Sequence, residues 1–211
     1  MDTIEAILRR RSLRGSFDAT RVETHILESI LRCGLAAPSS KNAKPWRFHV
    51  VTDSGLLDEL ARLVEAAEGK DTYVPHDPAT GQPWAEWPST VDQSAAVLRS
   101  APAAIFVENL GRFSRSRKAL LSGSSETLAG LIIGYTLEIL GIGAAIQNMW
   151  IAAFAHGLSG VFMGDILIAD EAIQVRLGMS ADLVGVLVLG YSAWEDSRQP
   201  APLDASKVHW L

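Results

Sequence analysis

Arg10 and Arg14 stand four residues apart near the start of the chain, with Arg11 and Ser12 between them. On a helix this spacing puts Arg10 and Arg14 on one face, and the Ser12 hydroxyl follows as that helix ends. Forked, permanently charged donors and a hydroxyl suit a phosphate or a planar, electron-rich heterocycle, because arginine donates in bidentate fashion. The same cations would also complement a helix C-terminus, at about 0.3–1 kcal/mol each. This segment alone leaves both readings open. A second group lies in the run from Ala37 to Trp46, where Pro38, Ser39, Ser40, Lys41, Asn42 and Lys44 gather hydroxyls, an amide and ammonium groups just before a predicted strand. A rigid turn of this kind can hold donors and acceptors against a flat ligand, or be an ordinary proline-bounded loop.

Other chemistries find little support. Gly141 and Gly143 begin like a dinucleotide fingerprint, but the third glycine is missing and the pattern around them is helical. There is no Walker loop, Gly157 to Gly160 is one residue short of a nucleophile elbow, and the five histidines are scattered. With the single cysteine, Cys33, no metal-ligand spacing arises, and a reducing, cytoplasmic setting is expected.

The elements that must position these groups follow from periodicity. Asp2 and Glu5 predict a capped helix with an Ile4, Ile7, Leu8 stripe that ends near the arginines. A second helix is predicted over 24–33, closed by Gly34, and a third from Asp53 or Ser54 through Ala67. Strands are predicted over 46–52, 103–108, 161–164 and 184–190, and helices over 125–156, with Gly141 and Gly143 as kink points, and over 170–177. The stretch 69–98 carries four prolines together with Trp84 and Trp87, and no lysine or arginine from Asp71 to Leu98. It reads as a lid loop or as a surface loop whose tryptophans pack down. Residues 191–211 read as a C-terminal arm, and 1–211 as one domain.

Composition narrows the partners. The 211 residues carry nineteen basic and twenty-four acidic side chains, a net charge of −5. That argues against nucleic acid or an anionic membrane as a general partner. Arg9 and Arg21 read as solvated. The run from Leu128 to Ile146 is nearly long enough to span a bilayer, but Gln147, Asn148 and His156 follow it and no positive charges flank it. It reads instead as a helix buried on every face, in a core or a subunit interface.

Arg10-Arg11-Ser12-Leu13-Arg14, the Ala37–Trp46 turn, the run from Gly143 to Leu158 and the ending Gly190-Tyr191 with Arg198-Gln199-Pro200 together resemble the nitroreductase family of FMN-dependent oxidoreductases, in the family's order. The resemblance implies an α+β fold with helices on both faces of a small mixed, largely antiparallel sheet, and a homodimer. It implies that Arg10, Arg11, Ser12 and Arg14 contact the flavin phosphate and pyrimidine edge. It further implies that Pro38, Ser39, Ser40 and Asn42, with Lys44 beside them, reach the flavin of the partner subunit. Phe162, Met163 and Gly164 would lie near N5, and Arg198 would complete the phosphate site. Lys44 stands where the family commonly has glutamine, and Asp196 where it often has a basic residue. The implied activity is ping-pong hydride transfer from NAD(P)H through flavin N5 to a nitroaromatic, quinone or similar electron-poor acceptor, with no catalytic side chain. The alternatives are a specialised relative (a flavin-dependent oxidase or dehydrogenase, a reductive dehalogenase, a flavin-cleaving enzyme) or a non-catalytic flavin-binding dimer.

Overall fold

Alternation along the strands decides the architecture. The computed structural model describes residues 2–194 and 199–211. Its strands β1 (Trp46–Val51), β2 (Ala103–Asn109), β3 (Ser159–Met163) and β4 (Asp182–Gly190) form one sheet in the order β1-β2-β4-β3. All adjacent pairs are antiparallel. Among the described residues, the one parallel pairing is an isolated bridge between Ser12 and Gly160. Ala103, Ile105, Val107, Leu187 and Leu189 face one side, where they pack with α2 (Thr24–Leu35) and α6 (Ser125–Ala155). Ala104, Phe106, Val186 and Val188 face the other, against α3 (Ser54–Glu65), α4 (Val91–Ser100) and α7 (Asp170–Leu177). A period of two thus feeds two cores, and helices on both faces leave the central strand β2 buried along its whole length.

Local signals agree with most of the predicted elements. The Asp2 carboxylate accepts from Glu5 N at 2.9 Å and caps α1 (Thr3–Arg9). Asp53 accepts from Leu56 N at 2.7 Å and caps α3. Gly157 follows α6 at φ +80°, a conformation that glycine adopts without Cβ strain.

Four expectations need correction. Gly34 does not close α2, which runs on to Leu35; it lets α2 approach α6, because a Cβ there would stand 2.6 Å from Met149 Cγ. The loop predicted over 69–98 gives way to α4 at Val91, whose Val91, Ala95 and Leu98 are buried on one face. A short helix α5 (Arg117–Ser122) also forms, capped by Ser116, where none was predicted. Finally, α6 continues as α-helix through Gly141 and Gly143.

Long and apolar enough to cross a membrane by length and composition, α6 instead lays one side on α2 and the sheet. On that side Glu138 is fully buried. Its carboxylate accepts from Ser114 Oγ at 2.6 Å, Asn109 Nδ2 at 3.0 Å, Ser114 N at 3.0 Å and Phe113 N. Burial pushes this carboxyl up, but the hydrogen bonds, led by Ser114, outweigh it and hold the group below the ordinary carboxylate range.

Candidate functional site

The arginine segment is not helical where the chemistry lies. α1 ends at Arg9, and Arg10 turns out of it at φ −53°, ψ 138°. The chain then runs beside β3: Ser12 bridges Gly160, and Leu13 N donates to Gly160 O at 2.9 Å. The expected shared helix face of Arg10 and Arg14 is therefore absent, because the backbone has left the helix to pair with β3. In an extended segment, Arg10, Ser12 and Arg14 share a side by period two, while Leu13 turns inward and is buried. Gly160 itself is required by the β3–β4 pairing, since a Cβ at that position would stand 2.2 Å from Val188 O of β4.

Arg10 carries the strongest signal. Its guanidinium carbon lies 3.8 Å from the centre of the Trp150 ring on α6, a cation–π stack. Nε and Nη1 are buried without a hydrogen-bond partner among the described residues, and so is Trp150 Nε1. Burial, followed by the neighbouring Arg11 charge, pushes the Arg10 pKa down. A cation held without an anion is costly unless something else supplies the acceptor. Arg11 donates through Nη1 to Leu8 O at 2.8 Å and to Arg10 O at 3.0 Å. Ser12 and Arg14 are exposed. Arg9 is solvated, beside Glu5 at 3.5 Å, as expected.

Farther along β3, Phe162 packs towards the α2/α6 core. Met163 lies in the opposite core, so its backbone rather than its side chain is what a ligand could meet. Gly164, just past the strand, is exposed. The parallel sense of the Ser12–Gly160 bridge carries the chain from Arg10 towards these residues. Gly160 and Gly164 are about 13 Å apart at strand rise.

The turn from Pro38 is tightly wound. Lys41, Asn42 and Lys44 have φ of +53°, +53° and +44°, and Ser39 Oγ accepts from Lys44 N at 2.9 Å. Three left-handed non-glycine residues in four positions concentrate strain of a kind found where a loop is held for a purpose. The turn packs on α6 at Gly141, where a Cβ would stand 3.2 Å from Ser39 Cβ. Gly141 and Trp150 are nine residues apart, which on a helix means about 13 Å along the axis and opposite flanks of the buried stripe. One chain therefore brings Arg10–Arg14 and Phe162–Gly164 together along β3 and keeps Pro38, Ser39, Ser40, Asn42 and Lys44 on the far flank of α6. Arg198 and Asp196 lie outside the described residues.

Trp150, which stacks under Arg10, had no role in the sequence reading. The only signal for it was its place in the Gly143–Leu158 run. Tyr73 and Asp165 were also missed, and they line a cavity next to Gly164.

Such a chain is an α+β protein with an extended cationic segment laid along a sheet edge. It belongs to the nitroreductase family, whose model matches residues 7–191. The "Putative NADH dehydrogenase/NAD(P)H nitroreductase" of Methanothermobacter thermautotrophicus is 24% identical over 213 residues, covering 99% of this chain and 86% of the relative. Among solved structures, a Desulfitobacterium hafniense nitroreductase with bound FMN superposes with TM-score 0.68 at 19% identity, covering 100% of this chain and 99% of the other. The NADPH:FMN oxidoreductase of Vibrio harveyi, solved in complex with NAD+, gives TM-score 0.69 at 22% identity, covering 99% of this chain and 76% of the other.

Proposed function

We propose that the chain is an FMN-dependent NAD(P)H oxidoreductase in which Arg10, Arg11, Ser12 and Arg14 hold the phosphate and pyrimidine edge of the flavin. The observation that carries this reading is the half-buried guanidinium of Arg10, stacked on Trp150 with buried Nε and Nη1 lacking acceptors among the described residues, in a nitroreductase-family chain. When bound, FMN would supply two-electron hydride chemistry between NAD(P)H and an electron-poor acceptor such as a nitroarene or quinone, in ping-pong order, with Arg10, Arg11, Ser12 and Arg14 holding it. The residues bind and orient. Cationic donors near the pyrimidine edge favour the form that carries negative charge there. Backbone at Phe162, Met163 and Gly164 would border the reacting edge, and Arg198 would add a further cation.

The working unit in this reading is a homodimer. Pro38, Ser39, Ser40, Asn42 and Lys44 lie on the wrong flank of α6 to meet the flavin of their own chain, so they serve the partner's. Support comes from the outer face of α6, where Ile133, Leu137 and Leu140 are 62%, 38% and 66% exposed. An apolar stripe opposite the buried one is what a second copy would cover. The whole chain, 1–211, is read as one FMN-binding domain with an arm from 191. A reducing cytoplasm suits its single free Cys33.

Purified protein should be yellow, or become so on incubation with FMN, and anaerobic NADH or NADPH should bleach it. A colourless protein that gains no flavin absorbance contradicts the reading. Leu140→Asp should give a monomer by light scattering that has lost most of its FMN affinity. A monomer with full affinity would remove the shared site.

A further inference from the structure

A cavity of about 470 Å3 opens beside Gly164, with residues 72–76 as one wall and Gly164 and Asp165 as the other. Its size suits a small aromatic ligand. The walls are braced. Lys70 Nζ meets Asp92 Oδ1 of α4 at 2.7 Å, and Trp84 N donates to Pro75 O at 3.0 Å. Asp165 accepts from the hydroxyls of Thr90 and Ser94, the latter at 3.0 Å. Trp84 and Trp87 pack on each other at 5.7 Å and do not line the cavity, so the aromatic residue placed there is Tyr73. Burial, followed by the Asp165 charge, pushes the Tyr73 hydroxyl up, and it stays a protonated donor.

Of the side chains that line this cavity, one is acidic, Asp165, and one is a histidine, His76. No lysine or arginine occurs from Asp71 to Leu98. Arg117, the cation close enough to act on Tyr73, is engaged by Asp170 and Asp182. A bound molecule therefore meets a neutral donor, the Tyr73 hydroxyl, and a carboxylate, Asp165, with the His76 ring as the remaining titratable group of the lining. An oxygen acceptor such as a nitro or carbonyl group suits the first, and an acidic substituent is opposed by the second.

We propose that this cavity is the acceptor pocket and that Tyr73 and Asp165 make it select uncharged nitro- or oxo-aromatic acceptors over anionic ones. Tyr73 O–H donates to the acceptor oxygen, and the Asp165 carboxylate disfavours acids of the same shape. The inference rests on the FMN reading above.

Two probes of matched shape, 4-nitrobenzyl alcohol and 4-nitrobenzoate, test it on the FMN-loaded protein. Equilibrium binding is measured by calorimetry on the oxidised protein without nicotinamide, and kcat/KM is measured with it. The alcohol should bind roughly ten-fold or more tightly than the benzoate, as expected for a charge facing a carboxylate at intermediate dielectric. Tyr73→Phe should weaken the alcohol roughly 2- to 10-fold, the net value of one hydrogen bond, with FMN content unchanged. Asp165→Asn, which keeps an acceptor for Ser94, should shrink the alcohol-to-benzoate ratio to about three or less. Equal binding of the two probes to the wild type, or Tyr73→Phe without effect on the alcohol, overturns the proposal while leaving the FMN reading intact. A protein that takes up no FMN overturns both.

Discussion

Glu138 and Arg10 are both charges withdrawn from water against α6, and the fold treats them in opposite ways. Glu138 is fully buried and accepts hydrogen bonds from Asn109, Phe113 N and both Ser114 groups. Arg10 is half-buried, with an aromatic ring beneath it and two guanidinium nitrogens that lack acceptors among the described residues. A satisfied buried charge belongs to the architecture; an unsatisfied one marks a place where something outside the chain completes the bonding. Glu108 repeats the first pattern, accepting from Ser180 N and Ala181 N at 2.7 Å each and lying 2.8 Å from His49 Nε2.

The comparison can be broken at several points. The largest effect should come from Glu138→Ala, which strands the donors of Asn109, Phe113 and Ser114. A loss of about 3–5 kcal/mol in urea unfolding is expected, with folded protein still binding FMN. A loss under about 1 kcal/mol would mean that those donors find other partners. Gly34→Ala should cost about 1–3 kcal/mol, because Met149 must move from 2.6 Å. Unchanged stability there would show that α2 and α6 are not in tight contact.

Acid should reveal the carboxylates next. Glu108 and Glu138 both sit below the ordinary glutamate value of 4.5 in the folded state. The unfolded chain therefore takes up protons first, and the stability these groups contribute is present above that value and lost as pH falls through the depressed ones. Unfolding free energy should decline as pH falls below the ordinary glutamate value, and Glu138→Gln should flatten that decline. An identical slope in the variant would count against the depressed value. The smallest stability effect should be that of Arg10→Ala in flavin-free protein, within about 1 kcal/mol, since a cation–π contact is lost and an unpaired desolvated charge is relieved together.

What the sequence disclosed follows the range of the interactions. β1, β2 and β4 were legible from β-branched runs, and α6 from its length of apolar residues. α4 was hidden because the prolines and tryptophans before it read as loop, although Val91, Ala95 and Leu98 already carry helical spacing. Arg10 and Arg14 were legible as a cation pair but not in their geometry. The helix ends at Arg9 because β3, some 148 residues away by the Ser12–Gly160 bridge, offers a strand edge. No local pattern encodes that pairing, nor the placing of Trp150 under Arg10. For Tyr73 the sequence pointed to the right loop and the wrong aromatic residues, since exposure and mutual stacking of Trp84 and Trp87 appear only in three dimensions.

The central claim is that Arg10 is held for the anionic and ring-edge acceptors of FMN. Titrating FMN into wild-type and Arg10→Ala protein, followed by flavin fluorescence, tests it most directly. Charge-assisted hydrogen bonds of roughly 1.5–3 kcal/mol predict a Kd weakened roughly 10- to 150-fold in the variant. Equal Kd values for the two proteins would contradict the claim and return Arg10 to the role of a cation that merely ends a helix.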